Sequence, residues 1–476
     1  MAGFSGVMKL KDLDDFITPS QECIKPVVIE KTSSTKTKIQ IETDGSYVEV
    51  DNIGNKKKLT KAAITLNDCL ACSGCVTSAE TILIQQQSHV ELARALERKN
   101  DAADPISVVI VSLSPQSRAS LAAKYGVSPL EMAEKLNYEF QNLGVDYLFD
   151  TSCSRNISLL ASAKEAAKRL SGSSSKRIPI LSSACPGWIC YAEKSHGKDV
   201  IPYISRVRSP QAVMGAIVKD YVAGKLELKP VNIYHAAVMP CFDKKLEASR
   251  PDFIAPGTSV RETDCVITEL ELFLEEKSID LTKCERSSFT KFRFICGLTS
   301  NELFNHPGGG AGGYADYVFR YVAKSQFGRL YNSVEFKVLR NKDFLETRLE
   351  TENGDVLLSV AKAYGFRNIQ NLVQKLKRQK CPYQYVEVMA CPSGCLNGGG
   401  QIRSWDPDMS QNEVLELVTK TYDRVAEMID WPDINAETLD LIADWLIDLD
   451  SQKAAELLYT DYHEVEKSDF SLDIKW

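Results

Sequence analysis

Fourteen cysteines occur in this 476-residue chain, and eight of them fall into two groups that suit metal-thiolate chemistry. The run MACPSGCLNGGGQ sets Cys391 and Cys395 beside Gly394, Gly398, Gly399 and Gly400, directly after the strand-like YQYVEV. Glycine permits positive φ, and successive amides can then line a concave site that favours an anionic cluster. A second run, DCLACSGC, places Cys69, Cys72 and Cys75 in C-x₂-C-x₂-C spacing. That spacing wraps three thiolates around one face of a [4Fe-4S] cube, as in bacterial ferredoxin runs. The ferredoxin pattern continues with a fourth cysteine and a proline, whereas Cys75 is followed by VTSAE. Cys23 is the only other cysteine in the first 150 residues and is assigned as fourth ligand by elimination. The alternative makes Cys23 a half-buried thiol beside a triad that holds zinc or a three-cysteine cluster, although zinc sites favour paired two-cysteine knuckles.

Cys185, Cys241 and Cys391 each close a strand-like run and touch a proline, in ACPGW, MPCFD and ACPSG. Ligands of α/β sheets collect outside the carboxyl ends of the strands, and proline stiffens the turn that presents each sulfur. With Cys395 they make four thiolates, enough for one cluster. Cys153, Cys190, Cys265, Cys284, Cys296 and Cys381 read as small hydrophobes, and the five histidines show no metal-like spacing. The glycine run from His306 leads into a helix; it suits either amide presentation to an anion or tight packing beside the cluster.

These residues need rigid elements to hold them. From residue 105 the chain alternates ISVVIVSLSP, SPLEMAEKLNYEFQNLG, DYLFDTSC, SLLASAKEAAKRL and IPILSSACPGW, followed by VNIYHAAVMPC, EFKVLR and YQYVEVMAC. Strands in alternation with helices imply an α/β fold with parallel sheets. After Ser404 the pattern turns helical, in NEVLELVTKTYDRVAEMI, AETLDLIADWLIDLD and QKAAELLY. Three regions follow: an N-terminal cluster module over 1–104, a cluster domain over 105–404 and a helical segment with a recognition tail over 405–476.

Composition narrows the function. A net charge of −7 argues against a nucleic-acid binder. The longest apolar run, ISVVIVSLS, is far below the roughly 18 residues of a membrane helix. The N-terminus reads as neither a secretory signal nor a transit peptide. A cytosolic or nuclear setting is expected, in which clustered cysteines bind metal before they form disulfides.

At the cysteine motifs the chain resembles the iron-only hydrogenases, whose cluster segments look like TSCCPGW, MPCxxKxxE and MACxxGCxxGGGQ. Here they read SSACPGW at 182–188, MPCFDKKLE at 239–247 and MACPSGCLNGGGQ at 389–401, and GGGAGGYADYVF is similar to a fourth segment, GGVMEAA. The likeness covers about 105–476. It implies two parallel-sheet lobes around a [4Fe-4S] site held by Cys185, Cys241, Cys391 and Cys395. Hydrogenases carry a proton-exchanging cysteine where this chain has Ala184, and a methyl group cannot carry a proton. Lys244, Glu247, Met239 and Met389 keep the family's residue types around the di-iron pocket, but no catalytic residue is assigned.

With DCLACSGC, the early DLDDFI and Trp476 included, the whole chain resembles the eukaryotic hydrogenase-like proteins of the Nar family. That resemblance implies a non-catalytic protein with two [4Fe-4S] clusters in cytosolic iron-sulfur assembly. It would act as adaptor or transfer factor between the early scaffold proteins and the targeting complex that matures cytosolic and nuclear apoproteins. An indole beside a carboxylate at Trp476 suits capture by the targeting complex. The implied location is the cytoplasm, with the nucleus open. Rival readings are a redox enzyme using the residual pocket and a nuclear interaction protein with purely structural clusters.

Overall fold

The computed structural model describes residues 84, 86–172, 178–268, 270–299, 302–403, 405–406, 408–426 and 436–464, with the backbone of three short strands before them. Those strands, β1 (Lys38–Ile41), β2 (Tyr47–Val50) and β3 (Lys56–Lys58), form an antiparallel meander. Helix α1 (His89–Lys99) then buries Leu92 in the core of the first lobe.

In chain order there follow β4 (Val108–Leu113), α2 (Pro115–Tyr125), α3 (Pro129–Asn142), β5 (Tyr147–Asp150), α4 (Thr151–Leu170), β6 (Ile180–Ser182), α5 (Pro186–Ser195) and α6 (Pro210–Ala216). Next come β7 (Ile233–Val238), α7 (Asp243–Ala248), β8 (Cys265–Ile267), α8 (Tyr314–Phe327), β9 (Lys337–Val338), β10 (Phe344–Glu350), β11 (Val356–Tyr364), α9 (Phe366–Lys377) and β12 (Tyr385–Met389). Three helices close the described chain: α10 (Gln411–Ala426), α11 (Ala436–Leu446) and α12 (Gln452–Leu458).

Two sheets organise this list. The first runs β5-β4-β7-β8 and is parallel throughout. The second runs β9-β10-β11-β12-β6; its inner pairs β11-β12 and β12-β6 are parallel, and β9 and β10 add an antiparallel edge. EFKVLR thus contributes only the two-residue β9.

Local chemistry starts several helices in the same way. Ser114-Pro115, Ser128-Pro129 and Ser209-Pro210 open α2, α3 and α6: each serine hydroxyl accepts a first-turn amide, and each proline sits where no amide is needed. Asp150 caps α4 by accepting the Ser152 amide at 2.8 Å, so the strand predicted over DYLFDTSC stops at Asp150 and Cys153 lies inside the helix. Helix α4 is buried along most of its length and contributes Ile157 to the core of the first lobe and Leu159 to that of the second. The C-terminal helices pack back onto this body: Tyr422 of α10 accepts from Arg155 at 2.9 Å, and Thr438 of α11 accepts from Asn156 at 2.9 Å. No helix of the described residues is long and apolar enough to cross a membrane.

Candidate metal centre

Three of the candidate cysteines sit just past strand ends. Cys185 follows β6, Cys241 follows β7 and Cys391 follows β12. Strands β6 and β12 are neighbours, paired through Ser182 and Glu387, so Cys185 and Cys391 leave adjacent strand ends. The Ala390 amide donates to Cys185 Sγ at 3.4 Å, and the Cys185 amide donates to Ser183 Oγ at 3.0 Å. Cys241 arrives from the other sheet. Its sulfur lies 3.5 Å from Asp243 Oδ2.

Cys391 and Cys395 are joined by a turn in which Ser393 takes φ 59°, a left-handed conformation uncommon outside glycine. Asp343 holds that turn by accepting the Ser393 amide at 2.6 Å. Beyond it, the Gly400 amide donates to Pro240 O at 2.8 Å and draws the loop of Cys395 onto that of Cys241. Arg403 clamps the same loop, with Nη1 donating to Asn397 Oδ1 at 2.7 Å and Nη2 to Gly398 O at 2.9 Å. At Gly398 there is no room for a side chain, since a Cβ would stand 2.2 Å from the backbone oxygen of Pro240. Gly398→Ala is therefore expected to push the two cysteine loops apart and speed iron loss to a chelator, with the helical circular dichroism unchanged. Equal loss rates would show that the loops tolerate separation.

Electrostatics identify what the cage accepts. Cys185 and Cys391 are only 7% and 8% exposed, and none of the described cysteines forms a disulfide. Burial first, then Asp243 and Cys395, pushes the Cys185 thiol up to about 12. Cys241 and Cys391 are held well above the ordinary thiol range, again by burial first and then by neighbouring negative charge that includes the other cage thiols. Cys185, Cys241 and Cys391, each raised by burial and in part by other cage thiols, become thiolates only around a cation. Among the described residues no group of His, Cys, Asp or Glu is gathered tightly enough for a single ion, whose donors must all lie within about 2.3 Å of one point. A set of thiol donors from two sheets fits an iron-sulfur group.

The glycine run resolves into packing. Ala315, at the start of α8, donates its amide to Glu387 Oε2 at 2.8 Å, and Tyr364 donates to Oε1 of the same carboxylate at 3.0 Å. An internal carboxylate thus takes the position an external anion would need. Lys244, one of the family-type residues, donates to Ser209 Oγ at 3.0 Å and Glu247 Oε2 at 2.5 Å, while Met239 and Met389 are buried. A small cavity of about 30 Å³ adjoins Ala184, Cys185, Cys190, Ser209, Glu247 and Tyr462. Tyr462 comes from a strap after α12: Thr460 donates its amide to Arg206 O at 2.8 Å, and His463 donates its amide to Glu193 Oε1 at 3.0 Å.

Of the remaining cysteines, Cys153, Cys265 and Cys296 are buried as expected of small hydrophobes, whereas Cys190, Cys284 and Cys381 are partly exposed. Asp243, Asp343, Arg403 and Tyr462 were not singled out by sequence; nothing in their local spacing marks them, because each acts on a residue brought to it by the fold. Cys23, Cys69, Cys72, Cys75 and Trp476 lie outside the described residues.

Sheet topology and thiol cage define the class: residues 107–399 match the iron-only hydrogenase large subunit, C-terminal domain. Similar folds include a structure from a study of FeFe-hydrogenase oxygen inactivation, at TM-score 0.66 and 27% identity over 79% of this chain and 99% of that one. The apo FeFe-hydrogenase HydA1 from Chlamydomonas reinhardtii matches at TM-score 0.67 and 26% identity over the same shares. Within that class the chain belongs to the family of cytosolic iron-sulfur assembly component 3. It is 52% identical to the Mus musculus protein of that name over 99% of both chains. It is also 52% identical, over the full length of both, to the cytosolic Fe-S cluster assembly factor narfl of Xenopus tropicalis.

Proposed function

We propose that this chain is a non-catalytic iron-sulfur protein of the cytosolic iron-sulfur assembly machinery. It holds one [4Fe-4S] cluster on Cys185, Cys241, Cys391 and Cys395 and a second on Cys23, Cys69, Cys72 and Cys75, in a separate N-terminal module. It works in the cytosol as adaptor or transfer factor between the early scaffold and the targeting complex. The observation that carries this reading is the placement of four unbridged thiols at strand ends and turns of two sheets, with Cys185 and Cys391 buried and Cys241 and Cys395 half-buried. The names of the full-length relatives supply the pathway. When bound, a [4Fe-4S] group supplies a one-electron couple and an iron-sulfide core. The chain's own residues present the sulfurs, direct the Ala390 amide at Cys185 and exclude water from the strand ends.

Ala184 supports the absence of catalysis. Its methyl lies on the wall of the cavity beside Cys185 and offers no group that could exchange a proton. The full chain, purified without oxygen and reduced with dithionite, should give [4Fe-4S] paramagnetic signals. It should show no hydrogen turnover and no infrared bands of iron-bound carbonyl or cyanide. Near-zero iron would remove the cluster reading, and hydrogen turnover would restore the enzymatic one.

Capture by the targeting complex is assigned to Trp476. The strap over Thr460–His463 anchors the tail to the lobe that carries Cys185, so residues beyond it can engage a partner without drawing on the cage. Deletion of Trp476 is expected to weaken recovery of the targeting complex several-fold in pull-downs at unchanged iron content. Undiminished recovery would move the contact elsewhere.

A further inference from the structure

The strap that follows α12 is fastened along its length. It runs antiparallel to the segment before α6: the Arg208 amide donates to Leu458 O at 2.9 Å, Val207 pairs with Tyr459, and the Thr460 amide donates to Arg206 O at 2.8 Å. The Arg206 side chain adds two more ties, from Nε to Thr460 O at 3.2 Å and from Nη2 to Asp461 Oδ2 at 2.6 Å. Beyond Tyr462 the His463 amide donates to Glu193 of α5 at 3.0 Å. Gly197 leaves room for the strap's end, since a Cβ there would stand 2.3 Å from the Glu464 side chain. Tyr462 is therefore held from both sides.

This fastening turns one ring inward. Asp461 and His463 are exposed, whereas Tyr462 is half-buried and packs against the apolar cluster that contains Cys185 and Trp188. Arg250 lies over the ring, 5.7 Å from its centroid, which suits a cation-π contact. Arg250 is itself fixed, by two bonds of 2.9 and 2.8 Å to Glu193 and one of 3.2 Å to Asp252. Ser183, Ala184 and Cys190 bring only small side chains to the cavity that Tyr462 also lines. With the ring in place about 30 Å³ remains, space for little more than a water molecule.

We infer that the strap is a cover and Tyr462 its plug: together they close the cavity beside Ala184 and Cys185 to small solutes and shield the cluster on that side. The inference rests on the proposed cluster and goes beyond it by assigning its protection to a segment that supplies no ligand. Ala184 leaves no group to carry a proton, and Tyr462 leaves no room for a solute to enter. Tyr462 is in this sense a positioning residue, acting through the space it fills.

The test uses the full, cluster-loaded chain kept without oxygen. Iodoacetamide is added and alkylation of Cys190, the cavity-lining thiol that is not a cage cysteine, is followed by peptide mass spectrometry, with the partly exposed Cys284 and Cys381 as references. A parallel sample is incubated with EDTA, and the decay of the second cluster is read by electron paramagnetic resonance after dithionite reduction, with the N-terminal cluster as its reference. Tyr462→Ala should speed both Cys190 alkylation and loss of the second cluster several-fold, with the references unmoved. Tyr462→Phe, which keeps the ring, should match the parent. Arg206→Ala, which loosens the strap from outside the cavity, should give a smaller acceleration in the same direction and decides the matter if Tyr462→Ala loses helical circular dichroism. A parent-like rate in either measurement would overturn the inference. So would equal acceleration at Cys284 and Cys381, since the whole fold would then have loosened. Absence of any cluster from the parent chain would instead refute the proposed function, while the Cys190 rates would still report on the cover.

Discussion

Cys391→Ala is expected to remove one cluster and spare the other, taking iron from about eight to about four atoms per chain. Cys391 is 8% exposed, follows β12 directly and shares its turn with Cys395, so its loss opens the cage on one side and misplaces a second sulfur. The three thiols left behind are held strongly protonated by burial, and they return to that state once the cation is gone. Because cluster binding is also folding energy, the variant should melt at a lower temperature than the loaded parent. Iron quantification with electron paramagnetic resonance on Cys391→Ala and Cys23→Ala checks both sites together, as each variant should lose a different signal. Unchanged iron in Cys391→Ala would take that residue out of the cage.

Arg208→Ala should produce the largest loss of stability without touching a cysteine. Arg208 and Glu262 are 6% and 1% exposed and meet through two bonds of 3.0 and 2.9 Å. Arg208 also donates to Tyr459 O at 3.1 Å and to Glu456 O at 2.9 Å, so one guanidinium joins the segment before α6, the segment before β8 and the C-terminal end of α12. Removing one partner of a buried pair leaves an uncompensated charge and costs about 3–5 kcal/mol. Burial already pushes the Glu262 carboxyl up to about 7, with Arg208 pulling it back. In the variant that pull is absent and the folded-state pKa rises further above the unfolded value. The carboxyl carries no penalty below its unfolded pKa; above it the penalty grows with pH until the folded pKa is passed, and that limit lies higher in the variant than in the parent. Denaturation at about pH 6 and about pH 8 should therefore show the greater deficit at the higher pH. A deficit below about 1 kcal/mol at both would mean that the pair contributes no more than a surface bridge.

Helix starts were legible wherever serine precedes proline, since cap and first turn are set by adjacent residues. Strand-end cysteines were legible for the same reason. Local reading faltered where a side chain changes its neighbour's role. Asp150 looked like the middle of a strand until its carboxylate was seen to cap α4. EFKVLR has the alternation of a strand, yet only Lys337 and Val338 pair, at the sheet edge. The glycine run before α8 left two readings open, and Glu387, seventy-two positions from Ala315, decided for packing.

By itself the sequence determined the inventory: a C-x₂-C-x₂-C run, the cysteines that follow strand-like segments, the prolines and glycines that shape their turns, the α/β alternation and an alanine at position 184. Only the tertiary structure decided which sulfurs meet. Cys185 receives the Ala390 amide across 205 positions because β6 and β12 are parallel neighbours, and Cys241 joins them from a separate sheet. Asp243 against Cys241 and Gly187, Arg208 against Glu262, and Tyr462 at the cavity wall are of the same kind. Short-range propensities and spacing act through adjacent residues; these contacts arise from crossover connections and packed lobes, whose geometry no local pattern in the chain encodes.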